Sequence, residues 1–269
     1  MIMQNDLLRK GLVVGIILIF IGASFVSALN VNPATTSPTA KLGNWLYVGG
    51  SGPGNYTKIQ NAINAALDGD TVFVYHYLSP YHENIIIKKS INLIGENKNN
   101  TMILCDDAAF DVVIDIIADN VTVSGFHIKN PNGLIGIQIV SNFNNINNNI
   151  IDVYGDGLFL HLVAEKNIIF GNSIMNCLRG IFLNQCSDNK IMRNNFLFNT
   201  IDAFFKDSFS NFWFENYWQR PRILPKVIFG CWSQSYPGYE PTYWPIFKLD
   251  IRPALLPINI TLADIIKSE

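Results

Sequence analysis

NNINNNII (residues 144–151), NIIFGNSI (167–174), NKIMRNNF (189–196) and NFWFENYW (211–218) share one frame, N-x-Φ-x-x-N-x-Φ, where Φ is apolar. Their first asparagines stand 23, 22 and 22 residues apart. DNVTVSGFHI (119–128) is a looser copy whose Asn120 lies 24 residues earlier, with Gly125 in the second Asn position. A Gly-led strand precedes each repeat: GIQIV from Gly136, GLFLHL from Gly157, GIFLN from Gly180, then AFFKD with Ala203 in the Gly position. A fixed period in the low twenties with short strands marks a stacked solenoid. The Leu-x-x-Leu-x-Leu frame of leucine-rich repeats is absent, which leaves a right-handed parallel β-helix, an all-β fold. In such a coil Ile146, Ile169 and Ile191 share one register and stack inward, with turns about 4.8 Å apart. Asn tolerates left-handed backbone angles at turns, and in stacked coils its amides line up into a ladder.

Composition agrees. The chain has 32 Asn and 37 Ile among 269 residues, and Asn is a poor helix former while Ile favours strands. Charged residues are only 15%, and the net charge of -2 gives no electrostatic grip on nucleic acid. The apolar content of 49% excludes disorder.

The ends carry other signals. Arg9 and Lys10 precede an apolar run, Gly11 to Gly22, and Val26-Ser27-Ala28 fits a small-x-small cleavage site. Residues 1–28 are therefore expected to be a cleaved signal peptide or a retained membrane anchor, the chain's only expected contact with a membrane. Residues 29–44 form a Pro/Thr/Ser-rich stalk. Residues 45–218 form the coil and 219–269 a C-terminal cap. The stretch from Tyr56 to Thr71 fits a capping α-helix, with Ile59, Ala62, Ile63, Ala66 and Leu67 on one face and Gly69 as its stop. From Thr71 to Trp218 there is room for six or seven turns. Beyond them the period is lost. Residues 212–247 hold 12 of the 33 aromatics, and seven of the 12 prolines lie between Pro221 and Pro257. This tail is expected to be an irregular aromatic cap, with Trp213 and Trp218 of the last repeat copy folding over the end of the coil, and Trp213, Trp218, Trp232 and Trp244 are also candidates for stacking on sugar rings.

YVGGSGPGNYTKIQNAINAALDGDTVFVY (47–75) and SPYHENIIIKKSINLIGENKNNT (79–101) resemble the opening of exported NosD-like β-helix repeat proteins. Members of that group are labelled as periplasmic copper-binding or as carbohydrate-binding and sugar-hydrolysis repeats. The GDTV, Y-x-E-N and I-x-L-x-G elements also look like the start of pectin methylesterases. The Asn-rich repeats match the NosD-like group better, over about residues 45–230. NYWQRPRILPKVIFG (216–230) resembles a tail of archaeal exported members, which implies an archaeal source.

The catalytic contexts of the enzymatic relatives are missing. The sequence has no Q-D-T, D-F-I-F-G or L-G-R-P-W of the methylesterases, and no G-H-G or R-I-K of polygalacturonases. Asp106-Asp107 is the only adjacent Asp pair and is expected to end a strand. Asp152, Asp156 and Asp188 follow the repeat closely enough to approach one another as turn carboxylates. Arg179 and Arg193 are expected on the surface. His76, His82, His127 and His161 show no ligand pairing, and Cys105, Cys177, Cys186 and Cys231 lie at no metal-ligand spacing from them. These cysteines form either buried hydrophobes or one or two bridges. Four sequons, at Asn55, Asn99, Asn120 and Asn259, are potential glycosylation sites.

The sequence thus points to an exported, non-catalytic β-helix of the cell surface or extracellular space that contacts polysaccharide or a surface glycan. It names no catalytic residue, metal ligand or cofactor. A polysaccharide hydrolase or lyase and a copper-handling accessory protein are the alternatives. Mass spectrometry of native protein is expected to find Leu29 at the mature N-terminus. Intact Met1 in a soluble cytoplasmic fraction would contradict export.

Overall fold

The structure, a computed structural model, describes residues 43–105, 111–162, 164–235 and 240–259. The apolar N-terminal run, most of the stalk and Asp106-Asp107 lie outside these residues.

The chain winds as a parallel β-helix with three faces. Sheet A has eight strands from Trp45–Val48 to Phe212–Phe214, and sheet B has seven from Tyr81–His82 to Tyr217–Trp218. Sheet C has eight, from Ile85–Ile87 to Thr242–Asp250. The expected inward stack is present, and it is longer than the three isoleucines. Val72, Leu93, Val123, Ile146, Ile169, Ile191 and Trp213 follow one another in register through sheet A, all buried. On sheet B, Ile103, Ile128, Ile151, Ile174, Phe196 and Trp218 do the same. Each such side chain contributes roughly 1.5–3 kcal/mol of burial.

Asn120, Asn148 and Asn176 occupy left-handed turns as expected, but the ladder asparagines do something else. In the repeats the positive φ falls on the residue before the ladder Asn: Phe143, Asn148, Lys166, Gly171, Asp188, Arg193 and Glu215. For a non-glycine residue that conformation costs about 1–2 kcal/mol. What offsets it is hydrogen bonding between coils. In one ladder, Asn144 Nδ2 donates to Asn167 Oδ1 at 2.9 Å, Asn167 to Asn189 at 3.0 Å, and Asn189 to Asn211 at 2.9 Å. In the second, Asn149 donates to Asn172 at 3.2 Å, Asn172 to Asn194 at 3.1 Å, and Asn194 to Asn216 at 3.1 Å. Each acceptor oxygen also takes the backbone N–H of the Asn below it, as Asn194 Oδ1 does from Asn172 at 3.0 Å. The second donor reaches a main-chain carbonyl, such as Ile146 for Asn172 and Ile169 for Asn194, except at Asn144, where it reaches Ser141 Oγ. These amides are fully buried and fully bonded, the condition under which a buried polar group stabilises rather than costs.

Gly136, Gly157 and Gly180 stack because no side chain fits there. A Cβ on Gly157 would sit 2.5 Å from Gly180 O and 2.7 Å from Ile174 Cγ2. The residue that follows this column is Asp202, not Ala203. Ala203 pairs with Ile181 and points inward, so the AFFKD alignment was one residue out of phase.

At the N-terminal end, helix α1 (Ile59–Ala65) covers the core with Ile59, Ala62 and Ile63, and Ala66 follows them into it. The helix stops short of Leu67, which is 60% exposed, so Leu67 does not belong to the apolar face. Its N-terminus is held from the next coil. Glu83 accepts the Ile59 N–H at 2.8 Å and the Gln60 N–H at 3.0 Å, a carboxylate placed where the helix leaves donors free. Lys89 Nζ donates to the carbonyls of Asn64 at 2.7 Å and Ala66 at 2.6 Å at the other end. The Y-x-E-N element therefore serves the cap.

The C-terminal tail does cover the opposite end, but it is not irregular. Lys226–Gln234 and Thr242–Asp250 form an antiparallel hairpin that extends sheet C, with Phe205 opposite Gly230 and Lys206 opposite Cys231. Its last residue, Asp250, is completely buried. Asp250 Oδ2 accepts Asn216 Nδ2 at 2.9 Å, the Asn216 N–H at 3.0 Å and Trp218 Nε1 at 3.1 Å, so a carboxylate ends the second ladder.

Ile169→Asp is expected to unfold the coil, because it buries a charge without a partner at a cost of several kcal/mol. Circular dichroism melting checks this, and an unchanged melting temperature would mean that Ile169 does not face the core.

Candidate functional site

The four tryptophans chosen from the sequence do not form one site. Trp213 and Trp218 are 2% and 1% exposed, and Trp218 stacks on Phe196 at 4.5 Å while bonding to Asp250. Neither offers a ring to a ligand. They close the core because their strands continue the inward stacks. Trp232 and Trp244 are exposed and directly opposite one another across the hairpin. By strand alternation they share the face of Ile228 and Ile246, which turn toward the core.

A different aromatic array lies on the outer face of sheet C. Phe159, Phe182 and Phe204 occupy one register and are half-exposed. Phe159 and Phe182 are 5.0 Å apart and nearly parallel at 9°; Phe182 and Phe204 are 5.9 Å apart. The hairpin continues the line. Because Phe205 pairs with Gly230, Phe229 follows Phe204, and Phe229 pairs in turn with Phe247. Phe229 and Phe247 are 67% and 64% exposed. Five rings thus run along the coil axis on successive strands. The sequence carried a signal for three of them, an F at the same phase in GLFLHL, GIFLN and AFFKD, hidden by the one-residue slip at Ala203.

Polar groups flank the rings. Arg179 is not a free surface residue. Its Nε and Nη2 donate to the two oxygens of the buried Asp156 at 2.6 and 2.7 Å, and its guanidinium lies 4.0 Å above the Phe182 ring. Arg193 likewise lies over a ring, Phe170, at 5.7 Å. His161 stacks on Phe159 at 4.4 Å and neighbours Asn184 in the next coil. His161 Nε2 and Asn184 Oδ1 are shielded from solvent with no partner among the described residues. Asp115 begins the column; Gln138 Nε2 donates to it at 3.2 Å. Burial raises the Asp115 carboxyl above its ordinary value, and burial lowers His161 against the opposing pull of the Asp115 charge.

The other candidate chemistry does not assemble. Asp152 lies on sheet B, with Asn176 Nδ2 at 3.1 Å, and Asp156 lies on sheet C with Arg179, while Asp188 sits in a turn before sheet A. They form no carboxylate cluster. No disulfide joins the cysteines among the described residues, and burial pushes the Cys177 thiol to about 12 and Cys186 to about 11. His127 lies on sheet B and His161 on sheet C. Among the described residues no three His, Cys, Asp or Glu side chains converge as metal ligands, so these residues do not fit a copper site. No described helix is long and apolar enough to cross a membrane.

The stacked coils, the amide ladders and the lateral ring column define a parallel β-helix protein with an aromatic outer face. Residues 112–228, less than half of the chain, match the family model described as periplasmic copper-binding protein (NosD), and over that stretch the chain resembles that family. No curated protein sequence matches it. Among solved structures it is similar to a pectin methylesterase in complex with a hexasaccharide, at 12% identity over 61% of this chain and 64% of that one, TM-score 0.44. The chain therefore spans less than two thirds of that enzyme's length. It is similar also to Escherichia coli YbhC, at 12% identity over 67% of this chain and 75% of that one, TM-score 0.44. The rice weevil pectin methyl esterase is 13% identical over 68% of this chain and 59% of its own, TM-score 0.44.

The Asp115 charge raises the His161 pKa, so Asp115→Asn is expected to lower it further in an NMR titration. A value that stays or rises would uncouple the two groups. With its folded pKa below the unfolded 6.5, His161 makes stability fall as pH drops beneath that value, because the unfolded chain binds the extra proton.

Proposed function

We propose that the protein is an exported, non-catalytic β-helix of the cell surface or extracellular space that binds polysaccharide along the outer face of sheet C. The observation that carries this reading is the line of Phe159, Phe182, Phe204, Phe229 and Phe247. An extended saccharide lying along the axis meets one ring per coil, at steps of about 4.8 Å. Aromatic faces offer apolar area to sugar rings, and the unfilled His161 Nε2 and Asn184 Oδ1 offer polar positions to hydroxyls. Export is supported by the N-terminal charge and apolar run and by the periplasmic description of the NosD family. Trp232 and Trp244 remain candidates for a second contact at the hairpin.

A polysaccharide-processing enzyme is the second reading, favoured by one observation: burial raises the Asp115 carboxyl above its ordinary value, the direction that suits a general acid. Reducing-sugar release that vanishes in Asp115→Asn would establish it.

A glycan array on the mature protein is expected to identify bound polysaccharide. Phe229→Ala is then expected to weaken it by about tenfold without shifting the melting temperature, since the ring is exposed. Full binding by Phe229→Ala and Phe182→Ala would remove the face from the account. Binding lost only in Trp232→Ala and Trp244→Ala would move the site to the other side of the hairpin.

A further inference from the structure

The turn between sheets B and C in the last two coils encloses a polar cavity of about 450 Å³, lined by Asn199, Asp202, Trp218, Arg220, Arg222 and Lys226 among others. Three cations and one carboxylate line it, and one of the cations pairs with the carboxylate. Lys226 Nζ takes Asp202 Oδ2 at 3.2 Å and lies 5.3 Å over the Trp218 ring. That pair leaves two unfilled positions. Asp202 Oδ1 and Arg222 Nε are both shielded from solvent, and neither has a partner among the described residues. A solvent-shielded donor and acceptor left open is costly unless something fills them. The cavity therefore asks for a group that accepts from a guanidinium and donates to a carboxylate. A fully deprotonated anion such as sulfate supplies only the first.

We propose that this cavity holds a sugar acid, its carboxylate on Arg222 and Arg220 and a neighbouring hydroxyl donated to Asp202 Oδ1. The inference rests on the polysaccharide reading above and specifies its ligand class. Asp202 is two residues from Phe204 on the same strand, so one chain can lie on the rings and turn an acidic unit into the turn. A guanidinium binds a carboxylate by paired, charge-assisted and directional bonds, whereas the hydroxyl of a neutral sugar accepts only a weaker single bond from it.

Isothermal titration at low ionic strength with glucuronate oligosaccharides and neutral gluco-oligosaccharides of equal length tests this. The wild-type protein is expected to prefer the acidic ligand by about tenfold, and salt should erode the preference. Arg222→Gln is expected to abolish the preference while leaving neutral binding in place. Arg220→Gln, at an exposed position that the fold tolerates, should reduce it at an unchanged melting temperature. Equal affinity for the two ligands, a preference that survives both substitutions, or sulfate binding as tightly as the acid would overturn the cavity assignment while the aromatic face stands. Binding of acidic but no neutral saccharide would support the cavity and overturn the aromatic face. Binding of neither would overturn both.

Discussion

The structure depends on a chain of buried amides that has a direction. In each ladder an Asn Nδ2 and backbone N–H donate toward the C-terminal end, and the oxygen of the next Asn receives both. Hydrogen bonds in such a row polarise one another, so the arrangement strengthens with length. It also fixes phase. A one-residue slip of any coil would orphan four bonds per amide and turn the isoleucines to solvent. The row must end somewhere, and its last member exposes unmet donors where water is absent. Asp250 answers that need with a carboxylate that takes both of those from Asn216, and the Trp218 indole N–H besides.

This requirement shapes the outer face as well. Asp250 belongs to no coil, so the chain has to leave the last turn, run out along sheet C and return. The hairpin that does so adds two strands to sheet C alone. Its alternation buries Ile228 and turns Phe229 and Phe247 outward. The ring column thus grows by two members as a consequence of how the ladder is closed. The same excursion delivers Arg220, Arg222 and Lys226 to the turn beside Asp202. Stability and the proposed recognition surface are carried by one segment.

The 22-residue phase, the isoleucine register and the N-terminal helix were legible because each depends on neighbours one coil away at most. The failures have physical reasons. Trp213 and Trp218 do close the end of the coil as expected, but they fail as sugar-stacking candidates, because composition cannot tell a ring that finishes a stack from one that stands outside it. Ala203 was placed one position off, because a small residue resembles Gly and the strand Ile201–Lys206 lacks the Gly of its predecessors. Asp250 and Glu83 gave no local signal. Each works through a partner 34 or 24 residues away, at Asn216 and Ile59, on elements whose docking the repeat does not encode. The Phe column was in view within the repeats, yet its continuation through Phe229 required knowing that the tail is a strand.

The central claim is that Asp250 closes the ladder, and hydrogen exchange with mass spectrometry on Asp250→Ala tests it most directly. Removing the carboxylate leaves three buried donors without an acceptor, each costing about 1–3 kcal/mol. The account predicts that residues 189–218 lose protection first and that the melting temperature falls. Asp250→Asn, which keeps an acceptor oxygen, should retain much of the protection. Protection across 189–218 that is the same in Asp250→Ala as in the wild type would contradict it.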